Sequence, residues 1–403
     1  MKILFMSLIN ITSIKKRGIY TDLLRQLSKD NHEINILSPV NEKNKESVYK
    51  ISNVTYIQVY VGDIQKTNLL KKGINTLLLE RRFIKAIKNY CSNIQFDLVL
   101  YSTPPITFLG TVEYVKKRDN SKTYLMLKDI FPQNAVDLGM IKTKGISGII
   151  YKFFRKKEKK LYQISDTIGC MSPANIEYLL KHNTEIDKQK VELFPNCIEP
   201  IDVRFTLEEK LSIRKKFNIP IDKTIFLYGG NLGKPQGIDF LLSCIQNSEL
   251  INNAFFIIVG SGVESSKIKK YIREKKPRNL MFLEHLPQSE YRKIVFSSDI
   301  GLIFLDKRFT IPNFPSRVLS YMEASLPIIA CTDPISDIGK IACENYFGWM
   351  SISENPNDFV ELINNIQLLD LNKYGINSRN YLEENYHVKK YYKLIINSYF
   401  KNK

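Results

Sequence analysis

The stretch Thr224-Ile225-Phe226-Leu227-Tyr228-Gly229-Gly230-Asn231-Leu232-Gly233-Lys234-Pro235-Gln236-Gly237 passes from an apolar run into a glycine-rich turn. An apolar helical pattern follows from Ile238. This is a strand, a tight turn and a helix in succession. Glycines let a backbone approach an anion closely, and a helix start offers unpaired amides and a partial positive charge. Gly230, Asn231, Gly233, Lys234 and Gln236 are therefore candidate diphosphate contacts, with Lys234 adding a full charge. The turn lacks the GK[ST] ending of a P-loop. An ordinary glycine-rich connection is the other reading.

Working outward, the same alternation recurs on both sides. Strand patterns follow at 254–259, 280–283, 300–305 and 327–331, with helices near 238–246, 288–297 and 317–324 between them. In the first half, strand patterns fall at 2–8, 33–38, 96–102, 123–127 and 166–171. Leu23-Leu24-Leu27 and Phe83-Ile84-Ile87 have helical spacing between them. Strands alternating with helices mean parallel sheets covered on both faces. Two such sets in tandem predict an α/β protein of two Rossmann-like, doubly wound domains facing a cleft. Pro195, Pro200 and Pro220 punctuate the boundary. The expected division is 1–200, 201–380, and a C-terminal helix, 381–403, packing back toward the first domain.

Composition bounds the function. Hydrophobic residues make up 44% and charged residues 25% of the 403, which argues for folded domains over disorder. The six cysteines (Cys91, Cys170, Cys197, Cys244, Cys331, Cys343) form no CxxC pair and read as free thiols of a reducing compartment. Four scattered histidines offer no zinc cluster. No signal-peptide pattern opens the chain and no run has the length of a membrane span. The expectation is a cytoplasmic protein. The net charge of +18 points to anionic partners. Its concentration in one amphipathic segment, without a nucleic-acid motif, argues against nucleic acid as the partner and leaves a basic nucleic-acid-binding protein as a remote alternative.

That segment is 145–163. Ile146, Ile149, Ile150, Phe153 and Phe154 fall on one helical stripe, with Lys152, Arg155, Lys156, Lys157, Lys159 and Lys160 crowded beside them. A basic amphipathic helix reads as a surface for anionic lipid; a core-packed helix with a lysine-rich outer face is the other reading. The membrane or acceptor patch is assigned to Ile149, Phe153, Phe154, Arg155, Lys156 and Lys157.

Three further turns carry candidate residues. Val259-Gly260-Ser261-Gly262 is a second glycine turn after a strand; Gly260 with Leu286 is read as a base or ribose contact, and a βα turn without a ligand is the other reading. In Pro312-Asn313-Phe314-Pro315-Ser316-Arg317, Ser316 is the expected helix cap and Arg317 the expected bidentate diphosphate ligand. Pro315 and Ser320 belong to the same contact, and Asn313 and Phe314 are read as contacts to the group the diphosphate carries, a donor sugar under the resemblance given below. In the first half, Arg17 and Gly18 belong to a basic loop that leads into a helix, read either as a cleft loop facing an anionic ligand or as a surface basic run. Lys128 and Asp129 end a strand, where a carboxylate meets reacting groups or caps the following turn.

YGGNLGKPQGID and PSRVLSYMEASLPIIA, in that order, with KDIFPQNAVDLGMI, GCMSPANIEYL and LFPNCIEP, resemble family 4 of the retaining GT-B glycosyltransferases. Within it they look like the capsule and O-antigen branch that includes N-acetylfucosaminyltransferases. The resemblance implies a nucleotide-sugar donor, UDP-linked, on the C-terminal domain. It implies a polyprenyl-diphosphate-linked saccharide acceptor on the N-terminal domain, at the inner face of the membrane. It also implies a front-face retaining transfer with no metal or other cofactor. Asn231 and Gln236 stand where the family carries its diphosphate Arg and Lys, so Lys234 and Arg317 are read as the substitutes. Pro312 and Ser320 stand at the family's paired glutamates, with Glu323 nearby, and Lys128 and Asp129 at its N-domain histidine. A non-hydrolysing UDP-sugar epimerase shares the two-domain plan and is the alternative.

Overall fold

The computed structural model describes residues 1–62, 69–104, 106–352 and 354–401, the side chains of 69–77 and of Ile146 excepted. It divides into two compact units, Met1–Glu199 with His387–Lys403, and Pro200–Tyr386.

The first unit carries strands β1 (Lys2–Met6), β2 (Glu33–Val40), β3 (Ser47–Ile51), β4 (Val54–Tyr60), β5 (Leu98–Ser102), β6 (Lys122–Leu127), β7 (Thr167–Cys170) and β8 (Val191–Leu193). They form one sheet in the order β3-β4-β2-β1-β5-β6-β7-β8. Every neighbouring pair is parallel except the β3–β4 hairpin. Its first helices are α1 (Ile19–Lys29), α2 (Leu69–Tyr90), α3 (Leu109–Asp119), α4 (Gln133–Asp137), α5 (Gly145–Ile164) and α6 (Pro173–His182). Central strands are apolar throughout because both faces are covered: Ile3, Leu4, Phe5 and Met6 of β1 have no solvent exposure.

The second unit has strands β9 (Thr224–Gly229), β10 (Ala254–Val259), β11 (Leu280–Leu283), β12 (Ile300–Phe304), β13 (Ile328–Thr332) and β14 (Gly348–Ile352). All pair in parallel, in the order β11-β10-β9-β12-β13-β14. Helices α7 (Leu207–Lys216), α8 (Ile238–Asn247), α9 (Ser265–Lys275), α10 (Gln288–Ser297), α11 (Arg317–Glu323), α12 (Ile338–Glu344), α13 (Pro356–Ile366) and α14 (Leu371–Asn385) surround the sheet. The order reverses between β9 and β12, so the loops after those two strands flank the switch point, where open α/β sheets place ligands.

The C-terminal helix read at 381–403 falls on two helices among the described residues. α14 ends at Asn385, and α15 (Val388–Lys401) starts after His387, which bridges to Ile198. Helix α15 belongs to the first unit, where Val388, Tyr391, Ile395 and Tyr399 are buried with the α1 face. Ser398 Oγ donates to Glu192 Oε2 at 2.8 Å, and the Tyr124 hydroxyl donates to Glu192 Oε1 at 2.6 Å.

Candidate functional site

In the second unit, the glycine loop after β9 and the glycine turn after β10 are zipped together by backbone bonds. Gly230 N donates to Val259 O at 2.9 Å, Leu232 N to Ser261 O at 3.0 Å and Glu264 N to Leu232 O at 2.9 Å. The approach is so close that a Cβ on Gly260 would lie 1.9 Å from the Gly230 carbonyl oxygen. Gly260 is thus required by packing, whatever it contacts. Gly230 itself has φ 119, a conformation that favours glycine. Lys234 stands exposed on a single 3₁₀ turn, Lys234–Gln236, which left-handed Gly237 (φ 57) joins to α8. Asp306 N donates to Pro235 O at 3.0 Å, which ties this turn to the loop after β12.

Arg317 opens α11 and turns back onto the β9 loop. Its guanidinium carbon lies 4.3 Å from the centre of the Tyr228 ring, a cation–π stack, and Nη2 donates to Gln236 Oε1. Ser320 Oγ donates to Arg317 O at 2.8 Å and hydrogen-bonds the Tyr291 phenol. The Tyr321 hydroxyl accepts from Gly229 N at 2.9 Å and donates to Leu302 O at 3.2 Å. Burial pushes all three phenols above their ordinary value, so they stay neutral. Burial works against the Arg317 charge, but the Tyr228 and Tyr321 oxygens outweigh it and the guanidinium pKa is raised. No carboxylate pairs with Arg317 among the described residues, and its Nη1 is buried with no hydrogen-bond partner. Burying a charged group without a counter-charge is costly, and Arg317 is braced here by neutral groups alone.

Other expected contacts take different roles. Ser316 precedes α11 but makes no side-chain cap, and the Val318 amide is already spent on Pro315 O at 3.3 Å. Pro315 is half-buried just before it. Phe314 is buried, its ring edge-on to Tyr386 at 5.6 Å, so it is a core residue rather than a sugar contact. Asn313 is fixed by Ser336 Oγ on its amide at 2.9 Å and by its own Nδ2 on Ile311 O at 3.1 Å. Asn231 is exposed beside the glycine loop, and Leu286 is half-buried past β11. Gln236 and Ser320 act as braces of Arg317.

In the first unit, the loop after β6 carries Lys128 and Asp129. Thr103 Oγ1 accepts from both their amides, at 3.0 and 3.2 Å, and donates to Asp129 O at 3.1 Å. Lys128 Nζ donates to Phe194 O and Pro195 O, at 3.3 and 3.2 Å, and lies 4.8 Å from the centre of the Phe194 ring. Burial pushes the amine down to about 8. Asp129 Oδ2 accepts from Asn134 Nδ2 at 2.7 Å. Burial pushes this carboxyl up to about 6; the Ile130 amide and Asn134 pull against that, and the Glu158 carboxylate adds to it. Asn134 Oδ1 is buried without a partner. Arg17 Nη2 donates to Glu199 O at 2.7 Å, and the Gly18 amide donates to buried Asp22 at 3.2 Å, so this loop is anchored to its own unit.

Helix α5 splits the expected patch in two. Ile149, Ile150 and Phe153 are 69%, 48% and 46% exposed, beside exposed Lys152 and Lys156. Phe154 instead faces inward, edge-on to Phe131 at 5.1 Å and packed on the core. Arg155 is consumed by Glu158, His182 O and Asn183 Oδ1, and Lys157 pairs with Glu80 at 2.9 Å. Lys159 and Lys160 pair with Glu185 and Glu113, at 3.1 and 2.6 Å. The side chain of Ile146, the first apolar position of the stripe, lies outside what is described. Among the described residues no helix is long and apolar enough to cross a membrane.

Residues 209–386 match the family model of glycosyl transferases group 1. The C-terminal unit is a group 1 glycosyltransferase domain. The chain is 27% identical to the probable glycosyltransferase WbjE of Pseudomonas aeruginosa, over 80% of this chain and 78% of that one. It is 20% identical to WcaI of Escherichia coli (strain K12), whose name assigns it to colanic acid biosynthesis, over 71% of this chain and 70% of that one. Among solved structures it resembles Anabaena Alr3699/HepE in complex with UDP and glucose. The TM-score is 0.71 at 11% identity, covering 99% of each chain. The fold is GT-B: two Rossmann-like units built on parallel sheets.

Within this group 1 domain, Glu323 is no stand-in for a missing sugar glutamate. Its Oε1 accepts from Ile201 N at 3.1 Å, and Arg379 Nη1 donates to both Glu323 O and Ile201 O, at 3.0 and 2.9 Å. Tyr228, Tyr291 and Tyr321, which shape the Arg317 pocket, carry no sequence spacing that announces them. Asn134 was legible only as the polar residue five positions after Asp129.

Proposed function

We propose that this glycosyltransferase moves an N-acetylated hexosamine or deoxyhexosamine, with retention, from a UDP-sugar to a polyprenyl-diphosphate-linked saccharide in capsule or O-antigen synthesis. The observation that carries the reading is Arg317: a braced guanidinium without a counter-ion, at the switch point of a group 1 domain. A donor diphosphate supplies the missing negative charge there. The leaving diphosphate gains charge as the glycosidic bond breaks, so preorganised positive groups stabilise the transition state. Lys234 puts a second positive charge on the β9 loop that Arg317 packs against, so no divalent metal is required. The UDP in the HepE structure supports the choice of nucleotide, and the WcaI name supports the polysaccharide setting. On the acceptor side, Asp129 orients the attacking hydroxyl in the first unit. The exposed Ile149, Ile150 and Phe153 with Lys152 and Lys156 hold the enzyme on anionic lipid at the inner face of the membrane.

Purified protein with UDP-, GDP- and dTDP-sugars and a lipid-linked saccharide extract tests this. Transfer of label to the lipid fraction from a UDP-sugar, undiminished by EDTA, is expected. Absence of transfer from every donor sinks the reading, and chelator sensitivity sinks the metal-free part. A donor whose sugar is epimerised while still joined to UDP, with no transfer, shows by NMR and identifies the epimerase instead.

A further inference from the structure

The first unit contains a recess of about 170 Å³ between α4, α5 and α6 that no part of the donor chemistry uses. Tyr151, Tyr162, Tyr178 and His182 supply its aromatic surfaces, and Gln133 and Asn183 its amides. Its one pair of charges, Arg155 and Glu158, is internally matched. Arg155 is held by Glu158, by His182 O at 2.9 Å and by Asn183 Oδ1 at 2.7 Å. The Tyr162 hydroxyl donates to Glu158 Oε1 at 2.7 Å. The Tyr178 and His182 rings stack at 3.9 Å, with His182 Nδ1 against Tyr178 O at 2.9 Å. The walls are therefore preorganised by their own hydrogen bonds.

The chemistry of these walls selects a ligand class. A matched ion pair leaves no net charge to attract a phosphate. The basic groove on the outer side of α5, lined by Lys152, Lys156, Lys159 and Lys160, is the place for that. Aromatic faces beside a few amide groups suit a ring with apolar faces and polar edges. The volume is about half the lower limit for a drug-sized pocket, enough for one sugar ring and too small for a nucleoside diphosphate. Of the lining, Ile130 immediately follows Asp129 and Gln133 lies four positions after it, and the Asp129 carboxyl feels Glu158. The two recesses share Tyr151 and Arg155, so the neutral recess and the basic groove are neighbours on one helix.

We propose that this recess is a monosaccharide-binding subsite that holds a neutral sugar ring of the acceptor beside Asp129. The proposal rests on the reading of the first unit as the acceptor unit.

The test uses the full chain with [13C]histidine, whose four histidines give few signals, and UDP at saturation to fill the donor site. The probes are the methyl glycosides of glucose, galactose, mannose, rhamnose, N-acetylglucosamine and N-acetylgalactosamine. At least one is expected to shift the His182 signal, identified by its loss in His182→Asn, and to give saturation transfer to the glycoside. Tyr178→Leu and Gln133→Leu should each weaken that glycoside at least tenfold, and Arg317→Ala should leave it unchanged. Either substitution leaving the affinity intact overturns the subsite, as does a panel in which no glycoside binds wild type. Inorganic phosphate shifting His182 in place of the glycosides overturns the neutral-ligand assignment. Failure of the donor reading shows separately, as UDP binding that is unaffected by Arg317→Ala.

Discussion

The guanidinium of Arg317 rests on the face of Tyr228, 4.3 Å from the ring centre, while its Nη1 faces no partner among the described residues. The stack and the Gln236 bond fix the direction of the fork before any ligand arrives. Arg317→Ala should weaken UDP ~10–100-fold, the range for hydrogen bonds to a charged group worth about 1.5–3 kcal/mol. Arg317→Lys should recover little, because a lysine ammonium neither stacks flat on the ring nor offers a fork. Titration calorimetry with UDP decides it, and equal affinities for wild type and Arg317→Lys would contradict the geometry.

Gly260→Ala tests the zipped glycine loops. The added methyl would stand 1.9 Å from the Gly230 carbonyl oxygen, a backbone atom that cannot rotate away. The loops must part, at a cost of about 1–3 kcal/mol for a forced backbone shift. In a unit of this size that lowers Tm by roughly 2–4 °C per kcal/mol. Gly139→Ala, where nothing lies within 4 Å of the added methyl, is no neutral control, because its φ of 69 strains any side chain. A better control is Ser261→Ala in the same turn. Differential scanning calorimetry with and without UDP separates loss of stability from loss of binding.

The fold was readable because its code is local. Strands such as 254–259 and 280–283 are apolar on both faces, and their bounds coincide with β10 and β11. The strands that escaped notice lie near or at sheet edges or are very short. β3 has exposed Val48 and Ile51, β14 has exposed Met350 and Ile352, and β8 has three residues. Half-exposed strands lose the continuous apolar signature that identified the others. Glycine and full charge marked Gly230, Gly260 and Arg317 in the sequence, and the structure zips the two glycine turns together and lays Arg317 on the Tyr228 ring. The site was not legible where tertiary packing decides. Phe314 has the composition of a sugar contact but sits against Tyr386. Tyr291 meets Ser320 only because the chain folds back. The single helix read over 381–403 misses the break for the same reason, since nothing in Tyr386-His387 announces the bridge to Ile198.

Asp129 gives a pH signature. Its carboxyl is pushed up to about 6 from 3.8, chiefly by burial. The fold therefore prefers the protonated form. That stabilisation is complete below the unfolded value and is lost as pH rises from about 4 through about 6. Asp129→Asn should consequently leave stability at pH 7.5 unchanged or higher while slowing transfer. If the ionised carboxylate orients the acceptor hydroxyl, transfer rises with pH through about 6 in wild type, and Asp129→Asn removes that limb. Asn134 donates to the ionised form at 2.7 Å and holds the value down. Asn134→Ala should therefore move the limb to higher pH, whereas Asn134→Ser, which keeps a donor, should move it less. A pH–rate profile with the same midpoint in all these variants removes Asp129 from the transfer step.

Helix α5 predicts two different phenotypes from neighbouring phenylalanines. Phe153 is 46% exposed beside Ile149 and Ile150, whereas Phe154 packs edge-on to Phe131 at 5.1 Å. Phe153→Glu and Ile149→Glu should abolish co-sedimentation with vesicles of mixed zwitterionic and anionic lipid and leave Tm within a few degrees of wild type. Phe154→Ala should do the reverse, costing about 3–5 kcal/mol for a packed aromatic while surviving protein still binds vesicles. Charge discriminates further. Lys152 and Lys156 are exposed, so Lys152→Glu with Lys156→Glu should weaken binding by about 2 kcal/mol or more, at ~1 kcal/mol per basic residue removed near anionic lipid. Lys157 is already paired with Glu80 at 2.9 Å, so Lys157→Gln should change vesicle affinity little. Raising salt should weaken wild type toward the double lysine variant, because the Debye length falls from ~10 Å at 0.1 M to ~3 Å at 1 M. Equal vesicle affinity for Phe153→Glu and wild type would return α5 to a purely structural role.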